Sequence, residues 1–283
     1  MTEVNITQAL AAAQALGLDR LDAQLLLLHA LGKPDSQRAW LLAHDGDVLP
    51  EHAMEMFRSL TLRRAAGEPL AYIVGYKEFF GLRFNVDARV LVPRPDTETL
   101  VQWALEVLKP VADPEVLDLG TGSGAVAIAI ARSLECKVTA TDFSAQALAV
   151  ASKNARQLRT DVQFIHSNWL EKVSGHYHVI ASNPPYIADQ DPHLAALANE
   201  PLSALTAGAD GLNDIRQIIQ SAPDHLHPEG WLLLEHGYDQ ADTVCKLLTQ
   251  HGFAQVQSRH DLAGIARCSG GRWDNQPIDF KRT

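Results

Sequence analysis

The apolar run from His178 to Ser182 ends in Asn183-Pro184-Pro185-Tyr186, four residues whose types suit the capture of a planar nitrogen. Each proline holds φ near about −65° and lacks a backbone N–H, so the segment is a stiff extended arm whose carbonyls no internal donor can claim. A primary amide or an exocyclic amine brings two N–H donors. The Asn183 side-chain oxygen and the Pro184 carbonyl can accept them, Pro185 keeps the arm extended, and the Tyr186 ring can pack against the planar group. The alternative is a Pro-Pro turn that does no more than end a strand.

Upstream, Glu115 to Leu119 runs straight into Gly120-Thr121-Gly122-Ser123-Gly124. Glycines let a backbone approach a ligand closely, and the start of the following helix leaves N–H groups beside it. The spacing is Gly-x-Gly-x-Gly rather than the Gly-x-Gly-x-x-Gly of dinucleotide sites, and Asp118 stands two residues before the first glycine. A carboxylate there repels a pyrophosphate but suits the cationic methionine part of S-adenosylmethionine. A ligand-free tight turn is the alternative.

Asp142 closes the next strand, about 20 residues past the loop, where an acid can hold both ribose hydroxyls. It could instead cap the following helix. Phe143 either covers the adenine or joins the core, and Trp169, which follows Ser167 and Asn168 at the end of the third strand, can stack on the adenine. The arm at Asn183 leaves the fourth strand. Four elements thus reach successive strand ends in order, and this convergence argues for one site that holds S-adenosylmethionine beside a planar nitrogen.

These residues need a frame to position them. Val116–Leu119, Lys137–Thr141, Val162–His166, Tyr177–Ser182 and Trp231–Glu235 are expected strands, with two more between Ala254 and Arg272. Helices are expected over Ala125–Leu134, Ala145–Leu158, Ile215–Leu226 and Ala241–His251. Such alternation predicts an α/β fold with a mostly parallel, seven-stranded sheet and helices on both faces. Ligands in these sheets bind at the carboxyl ends of the strands.

Before that region come four expected helices. Ile6, Ala9, Leu10, Ala13 and Leu16 repeat at helical spacing up to Gly17; Leu21, Leu25, Leu28 and Leu31 do so up to Gly32; Gln37–Ala43 is a third; Pro50 opens a fourth that runs to Ala66. Aromatic and β-branched residues around Gly81 predict a hairpin. The expected division is a small helical domain over 1–72, a β-hairpin linker over 73–92 and, over 93–283, the domain that carries the S-adenosylmethionine site. Asp96 or Thr97 is expected to cap the helix through Leu100, Trp103, Ala104 and Val107.

Composition excludes several classes. The chain has 283 residues, 46% hydrophobic and 20% charged, enough for a large core. No stretch approaches the roughly 18 apolar residues of a membrane span, and the start lacks a signal-peptide pattern, so a cytoplasmic protein without a membrane partner is expected. A net charge of −10 opposes direct nucleic-acid binding. Arg63-Arg64, flanked by Glu55 and Glu68, reads as a solvated face. Cys136, Cys245 and Cys268 show no disulfide or zinc pattern, and the closest histidine pairs, His176/His178 and His225/His227, have no third ligand at metal-site spacing, so no metal is expected.

Taken together, these segments resemble the bacterial PrmC (HemK) family of protein-(glutamine-N5) methyltransferases. The resemblance spans nearly the whole length and includes Gly67-Glu68-Pro69, Leu91 to Glu98, Asp189 to Leu194, Glu200 to Leu205, Leu232-Leu233-Leu234-Glu235-His236-Gly237 and Asp261-Leu262-Ala263-Gly264. The chain departs from the family at Asn168, where an acid is common, and in a shortened stretch between Leu194 and Glu200. The resemblance implies a class I, Rossmann-like methyltransferase fold and transfer of a methyl group from S-adenosylmethionine to the glutamine of the Gly-Gly-Gln motif in class 1 peptide chain release factors. It implies that the helical module, over 1–72, is the substrate-recognition domain that helps grip the release factor; a monomer is expected.

Two rivals remain open at this stage. A DNA adenine methyltransferase would clamp a flipped base with the same arm, but the acidic charge and the absence of a basic recognition region oppose it. A silent scaffold would keep the fold without the reaction, and the presence of Asp118, Asp142 and Asn183 together opposes that.

Overall fold

A computed structural model describes residues 3–274. Residues 1–2 and 275–283, assigned above to the first and last domains, lie outside the described residues. The chain divides into two compact units, Met1–Tyr76 and Lys77–Thr283.

The first unit is helical: α1 (Ile6–Ala15), α2 (Arg20–Ala30), α3 (Arg38–Ala43), α4 (Glu51–Ala65) and α5 (Leu70–Val74). Asn5 starts α1 with a reciprocal capping box, its side chain accepting from the Gln8 N–H while Gln8 accepts from the Asn5 N–H. Ile6, Leu26, Leu27, Leu41, Phe57 and Ile73 share one core. Arg64 reaches from α4 to Asp22 on α2 at 2.6 Å, so this basic pair is partly spent inside the unit, and Arg63 pairs with Glu68 at 2.5 Å. The sequence pattern misses α5, because Gly67 and Pro69 look like an ending and the helix is short; Gly75, at φ 83°, terminates it.

A hairpin follows, β1 (Tyr76–Phe79) and β2 (Leu82–Asn85), all but Tyr76 in the second unit, and it turns through Phe80 at φ 51° and Gly81 at φ 72°. Two consecutive positive φ angles match the twist of a two-residue hairpin. Phe79 and Phe84 are buried against Leu100 and Trp103, so the hairpin is part of this unit's core as well as a connection.

Beyond it lie α6 (Glu98–Leu108), β3 (Glu115–Leu119), α7 (Ala125–Ser133), β4 (Lys137–Asp142), α8 (Ala145–Gln157), β5 (Gln163–His166) and β6 (Tyr177–Ser182). Then follow α9 (Asn213–Ser221), β7 (Leu226–Glu235), α10 (Ala241–Gln250), β8 (Ala254–His260) and β9 (Ala266–Trp273). The seven strands run in the order β5-β4-β3-β6-β7-β9-β8, parallel except that β9 is antiparallel to both neighbours. Alternation along each strand divides two cores. Val116, Val179, Ala181 and Leu233 face α6 and α7, whereas Leu117, Ile180, Leu232 and Leu234 face α9 and α10.

Two expected boundaries move. The helix expected to reach Leu226 ends at Ser221, followed by a short 3-10 turn containing Pro223. β7 begins at Leu226 rather than Trp231, because the irregularity at Glu229, φ 66°, is absorbed within the strand. Among the described residues no helix is long and apolar enough to cross a membrane.

Candidate active site

Connectivity reverses at β3: the chain moves outward through β4 and β5, then returns to place β6 on β3's other side. Such a switch point leaves a crevice at the carboxyl ends of the strands. A cavity of about 430 Å³ lies there, with Asp118, Gly120, Asp142, Trp169, Asn183 and Pro185 in its walls. Thr121, Gly122, Ser123 and Phe143 also line it.

The glycine loop is held by its acids. Asp118 is buried, and its Oδ2 accepts from the Thr121 hydroxyl at 2.6 Å and from the Ala127 N–H at 3.1 Å. Burial pushes this carboxyl up to about 6, and repulsion from Asp142 adds to the shift. Asp142 Oδ2 accepts from the Gly122 N–H at 2.8 Å and its Oδ1 from the Ser144 N–H at 2.8 Å. Burial raises its pKa as well. Ser144, not Asp142, caps α8 through its side chain.

Gly124 is the one loop glycine that does not line the cavity. It sits at φ 83°, and a Cβ there would come within 2.9 Å of Ile128 and 3.2 Å of Ala151. Its missing side chain therefore allows the close packing of α7 on α8.

Phe143 is 73% exposed, which removes the core alternative and leaves its ring at the cavity rim. Trp169 adopts φ 45° and donates its indole N–H to Asp214 at 3.2 Å. A Cβ on Gly120 would come within 3.1 Å of the Trp169 ring, so that glycine makes room for the indole. Asn168 lines the cavity too, with Nδ2 donating to Glu171 at 2.7 Å.

The planar-nitrogen arm is tied down at both ends. Ser182 donates its hydroxyl to the Leu119 carbonyl at 2.8 Å, which joins the arm's root to the root of the glycine loop. Asn183 donates Nδ2 to the Thr97 hydroxyl at 3.2 Å, and no described residue donates to its Oδ1. At the far end the Tyr186 carbonyl accepts from Gln240 at 3.0 Å. Gly211 closes over that carbonyl, a Cβ there falling 2.2 Å from the oxygen.

Pro184 and Tyr186 do not line the cavity. Pro184 is buried, and the Tyr186 ring packs against the second core while its hydroxyl points to Glu235 at 3.4 Å. Burial, together with the Glu235 charge, pushes this phenol upward. The ring is thus turned to protein, which the tetrapeptide alone does not reveal.

Sequence reasoning also misses four supporting residues. Thr97, expected as a possible cap, makes no side-chain cap and instead receives Asn183; Asp96 pairs with Arg267 at 3.2 Å. Glu235 is 1% exposed at the end of β7, and burial raises its carboxyl to about 7 against the opposing effect of the Thr97 hydroxyl. Glu200 accepts the Val92 N–H at 3.1 Å and pairs with Arg94, fixing one cavity wall. The only sequence signal for these four is their membership in the segments 91–98, 200–205 and 232–237.

Away from the cavity, strand pairing gives the histidines the third partner that linear spacing lacks. Glu115, His178 and His227 place ligand-type atoms within 4.8 Å of one another. Internal bonds occupy much of that cluster: His178 Nδ1 accepts the Glu115 N–H at 3.1 Å, and the Glu115 carboxylate pairs with Lys137 and His227. The three cysteines are free thiols.

Comparison with known proteins agrees with this geometry. Residues 5–75 match the PrmC N-terminal domain and residues 97–210 match the methyltransferase small domain. A release factor glutamine methyltransferase of Bordetella pertussis is 49% identical over 260 residues, covering 90% of this chain and 95% of the relative. One of Pseudomonas aeruginosa is 47% identical, covering 90% and 92%. In fold, a methyltransferase from Pyrococcus furiosus superposes with a TM-score of 0.53 at 21% identity, over 70% of this chain and 91% of that one. At this identity and coverage, the chain belongs to the release factor glutamine methyltransferase family.

Proposed function

We propose that this protein transfers a methyl group from S-adenosylmethionine to the side-chain amide nitrogen of the glutamine in the Gly-Gly-Gln motif of class 1 peptide chain release factors. The observation that carries the reading is the meeting of two chemistries in one cavity: the acid-flanked glycine loop and the free acceptor face of Asn183.

The donor set fits the cofactor. Asp118 and Asp142 are two carboxylates held close in a buried setting, each raised by desolvation, and a cationic ligand relieves their charge. Asp142 still has acceptor capacity for ribose hydroxyls after its two backbone bonds. Phe143 and Trp169 offer apolar faces for a base. S-adenosylmethionine supplies an electrophilic methyl group bound to a sulfonium.

The chain's own residues then prepare the nucleophile. An amide nitrogen is unreactive because its lone pair is delocalised into the carbonyl. Asn183 Oδ1 and the Pro184 carbonyl accept the two amide hydrogens, turn the lone pair toward the methyl group and stabilise the positive charge that grows on nitrogen. Fixed in-line approach contributes several kcal/mol more, on the order expected for oriented reactants. Alkylation makes the nitrogen acidic, so a proton leaves without a strong base.

The helical unit is assigned to gripping the release factor, and the catalytic unit to the reaction. A cytoplasmic, monomeric enzyme that binds neither membrane nor nucleic acid directly completes the reading; a net charge of −10 supports the last point. Mass spectrometry of release factors from cells lacking this protein tests it. Unmethylated glutamine in the Gly-Gly-Gln motif is expected, and unchanged methylation would contradict the assignment.

A further inference from the structure

Resting on the reading of Asn183 as the amide clamp, we propose that Thr97 and Glu235 are positioning residues for the transfer: they fix the direction of the Asn183 side-chain amide, with Nδ2 turned to the protein and Oδ1 to the substrate. Asn183 Nδ2 lies 3.2 Å from the Thr97 hydroxyl oxygen, and Thr97 is 4% exposed, so water does not compete for that oxygen. A hydroxyl owns one proton. When that proton points at an acceptor elsewhere, its oxygen can only accept from Asn183, and the asparagine must present its NH2.

Glu235 is that acceptor. It is 1% exposed; its Oε1 accepts from the Tyr186 hydroxyl at 3.4 Å, its Oε2 is a buried acceptor with no other described hydrogen-bond partner, and the Thr97 hydroxyl acts on its charge as a donor does, favouring the ionised form. A carboxylate accepts only, so both hydroxyls donate into it. With Glu235 ionised, the run of donors from Asn183 through Thr97 to Glu235 has a single direction. The same carboxylate holds Tyr186, so the first and last residues of the arm are referred to one buried group, although Glu235 does not touch the cavity itself.

Without that acceptor the direction is lost. A protonated Glu235 can donate to Thr97, whose own proton is then free to meet Asn183 Oδ1. The asparagine amide can rotate, and its NH2 would face the NH2 of the substrate, donor against donor. The groups that face Glu235 are Asp96 and Thr97 before α6, Tyr186 on the arm, Arg267 and Cys268 on β9, and His236 next in the chain. Asp96 disfavours its charge and Arg267 favours it, Arg267 being shared with Asp96 and Asp261 at 3.2 and 3.1 Å. Cys268 and His236 are held neutral by burial. With the carboxyl raised to about 7, both directions of the chain are reachable near neutral pH.

The test uses the full chain with a purified release factor and saturating S-adenosylmethionine. Thr97→Val, close in shape but without the hydroxyl, should lower kcat by about 100-fold, the scale of losing one oriented group at a reacting centre. Cofactor affinity by calorimetry should stay within about threefold, and Thr97→Ser should restore most of the turnover. The wild-type kcat should fall with acid through the range near 7, and this limb should vanish in Glu235→Gln. A Thr97→Val enzyme with wild-type kcat, a loss that serine does not rescue, or an acid limb that persists in Glu235→Gln would each overturn the proposal. Failure of the wild type itself to methylate the release factor would strike the underlying reading instead, leaving the two distinguishable.

Discussion

Glu200 pairs with Arg94 across 106 positions of chain, and its second carboxylate oxygen accepts the Val92 N–H at 3.1 Å. One buried acid thus holds the extended segment 91–94, whose Pro93 has no N–H to donate, as a wall of the cavity.

Replacing Glu200 with alanine strands the Val92 N–H and frees Arg94. Leaving one buried donor unsatisfied costs about 1–3 kcal/mol. Chemical denaturation should show a loss of that size, and calorimetry should show weaker S-adenosylmethionine binding because Val92 and Arg94 line its cavity. Glu200→Gln should retain part of both, since its carbonyl can still accept one bond.

Asp142 holds the Gly122 N–H and, on the present reading, the ribose. Asp142→Ala removes charge-assisted bonds worth roughly 1.5–3 kcal/mol each, so cofactor affinity should fall by about 100-fold or more. Asp142→Asn, which keeps one acceptor, should fall between. Calorimetry with S-adenosylmethionine measures both.

The acid of the glycine loop predicts a pH dependence. Asp118 rises from 3.8 to about 6 on folding, so the folded chain binds this proton more tightly than the unfolded one. Its contribution to stability is whole below 3.8 and is lost as pH rises through about 6, leaving a cost of about 3 kcal/mol at most above that. Asp118→Asn should therefore be more stable than wild type at pH about 8 and no more stable at pH about 4. Cofactor binding should run the other way. Affinity for the cationic ligand should weaken as pH falls below about 6, and the asparagine variant should bind more weakly with a shallower dependence.

Gly211 predicts a steric failure. It adopts φ 70°, and an added Cβ would stand 2.2 Å from the Tyr186 carbonyl oxygen. Gly211→Ala should cost about 1–3 kcal/mol from the backbone conformation and the forced shift together. Because the shift moves the arm, turnover should fall while S-adenosylmethionine affinity is largely kept. Paired activity and calorimetry measurements read the two separately.

Much of the site is legible in the sequence because the chemistry lies next to strand ends. Asp118, Gly120, Asp142 and Asn183 each follow an apolar run whose direction is set by the alternation of strand and helix, so one edge must collect them. What escapes is whatever depends on pairing distant segments. Thr97 looks like a cap because a threonine before an apolar run usually is one; only the pairing of Ser182 with Leu234 brings Glu235 close enough to give its hydroxyl another use. Gly124 looks like its neighbours, yet the side chains of Ile128 and Ala151 decide its role. The start of β7 is hidden by Pro228 and Glu229, which resemble a loop but occupy an irregular stretch of strand.

The central claim is that Asn183 grips the glutamine amide. It is tested most directly by single-turnover methylation of a purified release factor, followed by peptide mass spectrometry, with wild type and Asn183→Ala. The account predicts a methyl group on the Gly-Gly-Gln glutamine with wild type, and with Asn183→Ala a rate lower by about 100-fold or more at nearly unchanged S-adenosylmethionine affinity. A variant that methylates the same glutamine at close to the wild-type rate would contradict it.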